Sequence, residues 1–194
     1  MSIPQKPKPA RLIIGVMMMD TSLMEETAAD LEERYGPADR VSPWFAFDFT
    51  DYYDKEMGTP LKRRLISFQR LIGQETLPEV KLATNEIEMR LSVGGRRRVN
   101  IDPGYLTLER FVLATGKNFT HRIYLGRGIY ADLTLLYTGG RFVPLEWTYP
   151  DYATEPIRTF LAEARERYRV DLRGQPEAAI GAVTGSAGEE RGSR

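Results

Sequence analysis

Two stretches of the chain carry residues whose types could do chemistry together. The first, from Thr50 to Pro60, supplies Asp51, Tyr53 and Glu56, and the second supplies Lys117, His121 and Arg122. A lysine and an arginine can hold a phosphate or a carboxylate, the arginine through its flat fork of donors. A histidine can transfer protons near neutral pH. A nearby carboxylate can orient the imidazole or hold a divalent cation. His121, Asp51 and Glu56 are therefore the candidate catalytic residues, and Lys117, Arg122 and Tyr53 the candidate ligand contacts. The plain alternative is a set of exposed loop charges in ordinary surface pairs, each worth about 1 kcal/mol or less, with His121 in a structural role.

Composition narrows the chemistry. With no cysteine among 194 residues, thiolate catalysis, disulfides and Cys-ligated metal centres are excluded. One histidine excludes the common multi-histidine metal sites but leaves carboxylate-only Mg²⁺ or Mn²⁺ binding open. No metal ligands are assigned and the cofactor is left unknown. The 27 basic and 27 acidic side chains balance, which argues against wholesale electrostatic capture of nucleic acid or of an anionic membrane. The apolar run Leu12–Met19 contains a glycine, ends in Asp20 and is far shorter than the roughly 20 residues of a membrane span. It reads as a buried strand, and the chain as cytoplasmic.

The elements that must position the candidates read as follows. Residues 1–10 form a loose arm, and residues 11–170 a single α+β domain. Leu12–Met19 is a strand covered on both faces. Ser22 with Glu25 makes a capping box for a helix whose apolar face is Met24, Ala28, Leu31 and Tyr35, stopped by Gly36-Pro37. Strands follow at Val41–Phe49 and Leu61–Ile72. A second helix runs over Leu77–Val93, with Val80, Ala83, Ile87 and Leu91 inward. Beside that face, Lys81, Asn85 and Glu88 form either a polar ridge over a groove or an intrahelical network. A fourth strand, Arg96–Ile101, is closed by an Asp102-Pro103-Gly104 turn. The β-α-β-β-α-β order suits a ferredoxin-like split βαβ unit with both helices on one face. It is extended by an antiparallel meander at about 109–115, 121–125, 129–138 and 141–147, and by a helix from about Thr154. The segment 171–194 loses periodicity and reads as a disordered tail.

This topology brings the two candidate stretches to one end of the sheet, because strand directions alternate. Asp102, Tyr105, Trp147, Tyr149, Asp151 and Tyr152 fall to the opposite end, where they pack the last helix or present a partner surface.

Several segments together are characteristic: Thr50-Asp51-Tyr52-Tyr53 with Glu56-Met57-Gly58, Lys81-Leu82-Ala83-Thr84-Asn85, the run Val99 to Thr107, His121 to Leu125, and Trp147 to Tyr152. Over about residues 10–170 the chain resembles a prokaryotic family catalogued only as a domain of unknown function (number 4416). The resemblance implies no activity and no catalytic residues. A phosphate-binding loop is not present: Gly116-Lys117 is followed by Asn118, and Phe111 stands where the upstream glycine belongs. In a strand, Arg96 and Arg98 face opposite to Arg97, so the triplet is not one patch. Three functions stay open: binding or acting on a small anionic metabolite, docking a protein partner without catalysis, and, with less support, an RNA-binding module.

Overall fold

The computed structural model describes residues 1–174 of the chain. Strand β1 (Ala10–Met18) is buried at every position and divides the core. Its even residues Leu12, Ile14, Val16 and Met18 pack with Leu31, Val80, Ile87 and Leu91. Those four belong to α1 (Met24–Tyr35) and to α3 (Leu77–Arg90) with its C-terminal cap, so both helices lie on one face. Ile13, of the odd set, packs with Ile157, Phe160, Leu161, Ala164 and Tyr168. These line the inner face of α4 (Glu155–Gly174), on the other side of the sheet. The alternation of side chains along a strand thus yields three layers from one sequence run.

Among the described residues the sheet has nine strands. Besides β1 they are β2 (Ala38–Val41), β3 (Phe45–Phe47), β4 (Leu61–Ile72), β5 (Val99–Leu106), β6 (Arg110–Thr115), β7 (Arg122–Gly126), β8 (Ile129–Thr138) and β9 (Arg141–Pro144). The order is β2-β4-β1-β5-β6-β8-β7, with β3 also on β4 and β9 also on β8. Every pairing is antiparallel. A short helix, α2 (Asp54–Met57), sits in the connection between β3 and β4.

Four expectations are corrected. The strand expected at Val41–Phe49 is two short strands, interrupted around Pro43, which has no N–H to give. Asp20, rather than Ser22, makes the turn-capping bond ahead of α1: its carboxylate accepts from Ser22 N at 3.1 Å. The last strand ends at Pro144, so Leu145–Thr154 is free to cross back over the sheet. The last helix continues past Asp171, which bonds the buried Arg11; residues 175–194 of the expected tail lie outside the described residues.

A further correction shapes the site. Asp102-Pro103-Gly104 is not a turn; β5 runs straight through it, paired to β1 along its whole length. On its other edge β5 meets β6 only at Gly104, Tyr105 and Leu106. Pro103 lies two residues from Ile101, on the same edge, where β6 has not yet joined, so the missing N–H costs no ladder bond. Gly104 is where the strands close up: a Cβ there would stand 2.5 Å from Val112 O. Upstream of Gly104 the two strands part, and the sheet carries a split.

Candidate functional site

The split opens onto a cleft of about 360 Å³. Helix α3 underlies it with Lys81, Asn85 and Glu88; β4 and β5 give Arg63, Asn100 and Asp102. Across the gap stand Thr115, Gly116, Lys117, Arg122 and Asp132. Tyr52 and Tyr53 from the α2 connection, with Tyr149 and Tyr152 from the returning segment, complete the wall.

The freed edge of β5 is finished by side chains. Lys81 Nζ donates to Ile101 O at 2.7 Å, and Ile101 N donates to Glu88 Oε1 at 2.6 Å. Both groups of one strand residue point to the same edge, so α3 takes the place of the absent strand. Burial pushes the Glu88 carboxyl up; Lys81, the Ile101 N–H and Arg97 pull it back, while Asp102 adds to the rise. Both readings of Lys81, Asn85 and Glu88 hold in part: all three line the groove, and Lys81 and Glu88 also pair within the helix at 3.7 Å.

A second cluster surrounds Arg63, which is 4 % exposed. Its Nη2 donates to Asp102 Oδ2 at 3.1 Å, and its Nη1 stands 2.8 Å from Asp151 Oδ2. Its guanidinium lies 5.0 Å from the Phe47 ring centre and 5.1 Å from that of Tyr152. Burial opposes the charge on Arg63, but Tyr152, Asp151 and Asp102 outweigh it and hold the group protonated. Burial raises the Asp151 carboxyl, against the pull of Arg63. Burial, with Asp102 nearby, pushes the Tyr53 hydroxyl up to about 12.

Arg97 is fully engaged. Its Nε and Nη2 each donate to Glu56 at 2.7 Å, and Nη1 donates to Asn100 Oδ1 at 2.9 Å. Those bonds hold Glu56 below the usual carboxylate range. Lys117 is different. Its Nζ donates to Tyr52 OH at 3.1 Å and lies 4.6 Å from that ring's centre, and among the described residues it has no carboxylate partner. Arg122 Nε donates to Asp132 Oδ2 at 2.9 Å and Nη1 to Lys117 O at 2.9 Å, so the two cations are tied together at one side of the cleft.

Lys117, Arg122 and Tyr53 thus share the cleft wall. The other three candidates do not line it. Glu56 stands behind the wall, on Arg97. His121 Nε2 is 3.2 Å from Asp132 Oδ2, and its ring stacks on Trp147 at 4.9 Å and 11°. Asp51 is exposed in the turn before α2. The placement of Asp102, Tyr149 and Tyr152 at the far end is corrected: the strand through Pro103 and the returning Leu145–Thr154 segment bring all three into this cleft. Arg63, Arg97, Asn100 and Asp132 were not singled out by sequence reasoning as site residues. Among the described residues no group of three or more His, Asp or Glu side chains is placed to hold a metal ion, and no helix is long and apolar enough to cross a membrane. A depression of about 450 Å³ between α1 and β2 and β4 carries far less chemistry, since its arginine, Arg64, lies over Trp44 at 4.5 Å.

The model of a family described as a domain of unknown function (DUF4416) matches residues 8–168. The chain belongs to this family. The matched span of the DUF4416 domain takes in every residue of the cleft and most of α4. Neither the curated proteins nor the solved structures contain a significant match to it.

Proposed function

We propose that this DUF4416 domain binds a small anionic metabolite, phosphorylated or carboxylated, in the split between β5 and β6. The observation that carries the reading is Lys117: a cation on the cleft wall with a hydroxyl and a ring for company and no carboxylate, beside Arg122. Arg122 is paired with Asp132, and the remaining cations of the wall are engaged by Glu56, Glu88, Asp102 and Asp151. An anion entering the cleft therefore meets Lys117 first, with the Arg122–Asp132 pair beside it. Proton transfer to a bound ligand would fall to Glu88, which faces the cleft, before His121, which does not. The test is calorimetric titration with phosphorylated and carboxylate metabolites at low salt. Binding should weaken in Lys117→Ala, in Arg122→Lys and as salt rises. Binding indifferent to all three changes would sink the proposal.

We infer further that the first half of the chain is a ferredoxin-like split βαβ unit. The antiparallel order β2-β4-β1-β5, with α1 and α3 on one face, supports this. A prokaryotic cytoplasm suits a chain without cysteine.

A second reading, docking of a protein partner, draws on strand β7. It is an edge strand whose Ile123, Tyr124 and Leu125 are exposed at 69, 60 and 40 %. Light scattering tests it in the form of self-association: assembly should vanish in Ile123→Lys, and a monomer at high concentration would rule that form out.

A further inference from the structure

The ligand proposed above meets two different chemistries at the two sides of the cleft, and this deepens the reading to a substrate class. We propose that the ligand is a polyol carrying a terminal anionic group, with the anion on Lys117 and Arg122 and its hydroxyls on Asn85, Asp102 and Tyr152. The inference rests on the anion-binding reading.

Size comes first. A cleft of about 360 Å³ is many times the roughly 30 Å³ share of one water, so an inorganic anion alone leaves most of it unfilled. The remaining wall is built to accept and donate hydrogen bonds. Asp102 Oδ2 takes both Arg63 and Asn100, at 3.1 and 2.9 Å, while Oδ1 has no donor among the described residues. Asn85 lines the cleft with no side-chain hydrogen bond among the described residues. Tyr152 is 2 % exposed and lines the cleft, yet its hydroxyl has no hydrogen-bond partner among the described residues. A hydroxyl buried in this way is costly unless a ligand or water group meets it.

The charge on this side selects the donor. Asp102 and Asp151 are both set against Arg63, so an ammonium group would stand beside a buried guanidinium whose carboxylates are already shared. A hydroxyl brings donors without that repulsion, and it can also accept from Asn85. Tyr53 and Tyr149 present aromatic surface that suits the C–H faces of a polyol chain.

The test is isothermal titration of the full chain with inorganic phosphate, glucose, and three polyol phosphates: glycerol phosphate, ribose phosphate and glucose phosphate. Gluconate serves as the carboxylate arm. At least one polyol phosphate or gluconate should bind about tenfold or more tighter than inorganic phosphate, and glucose should bind more weakly than its phosphate. Stronger binding of gluconate than of every polyol phosphate would assign the anionic end as a carboxylate. Asn85→Leu should lose about three- to tenfold in affinity for the polyol ligand and leave inorganic phosphate unchanged. Tyr152→Phe, which keeps the packed ring, should do the same. If inorganic phosphate binds as tightly as every polyol probe and neither variant matters, the polyol assignment is overturned while the anion site stands. If no probe binds, both fall.

Discussion

Lys81 Nζ and Glu88 Oε1 stand 3.7 Å apart, and between them they hold the carbonyl and the N–H of one residue, Ile101. Both side chains are nearly buried, at 11 and 9 % exposure. Two helical side chains thereby stand in for a missing β-strand, and the cleft exists because they do. Removing one partner leaves a buried charge and an unmet N–H. Glu88→Ala should cost about 3 kcal/mol in urea unfolding. Glu88→Gln keeps an acceptor for Ile101 N and should cost clearly less. Equal losses in the two variants would show that the strand edge does not depend on this acceptor.

Two glycines, Gly15 on β1 and Gly104 on β5, allow close approaches beside the split. A Cβ on Gly15 would stand 2.8 Å from Tyr152 OH, and one on Gly104 would stand 2.5 Å from Val112 O. Gly15→Ala and Gly104→Ala should each destabilise by about 1–3 kcal/mol or more through overpacking. The obstacle at Gly15 is one side-chain hydroxyl, so Tyr152→Phe should recover part of the loss. The obstacle at Gly104 is backbone, and the same change should recover nothing there. A double-mutant cycle by thermal unfolding measures the difference.

The Glu56–Arg97 pair predicts a pH dependence. Hydrogen bonds from Arg97 lower the Glu56 carboxyl from its ordinary 4.5. The unfolded chain therefore binds that proton more readily than the folded one. The stability this contributes is present above 4.5 and is lost as pH falls through the folded value. Buried Glu88 and Asp151 act in the opposite sense, because their raised carboxyls lose stability as pH rises. The difference between wild type and Glu56→Gln isolates the Glu56 contribution. The gap in unfolding midpoint should be open at neutral pH and narrow as pH falls below 4.5. A gap that does not change with pH would remove the charge from the explanation.

Much of the architecture was legible because it rests on periodicity. The unbroken apolar run of β1 and the inward stripe of α3 needed only spacing to be read. The site was legible in part. Alternating strand directions brought Tyr53, Lys117 and Arg122 onto one wall. Asp102 was misplaced because Asp-Pro-Gly favours a turn locally, and that preference yields when the proline faces an unpaired strand edge. Arg63 did leave a signal: Leu61, Arg63, Leu65 and Ser67 share the period of two on one buried face. A charge on that face marks a cluster, but its partners lie 39 and 88 residues away at Asp102 and Asp151, beyond local spacing. His121 joins the candidates through its chemistry and the strand directions, neither of which shows where its ring packs. Its neighbours Trp147 and Asp132 are set by the tertiary fold.

The most direct test of the anion site is residue-resolved. Inorganic phosphate is titrated into the labelled chain at low salt while the amide nitrogen–proton correlation spectrum is followed. The account predicts saturable shifts that are largest at Gly116, Lys117 and Arg122 and are absent in Lys117→Ala. Shifts centred instead on Arg96 and Arg98 or on the arm around Lys6 and Lys8, or no saturable shift at the cleft, would contradict it.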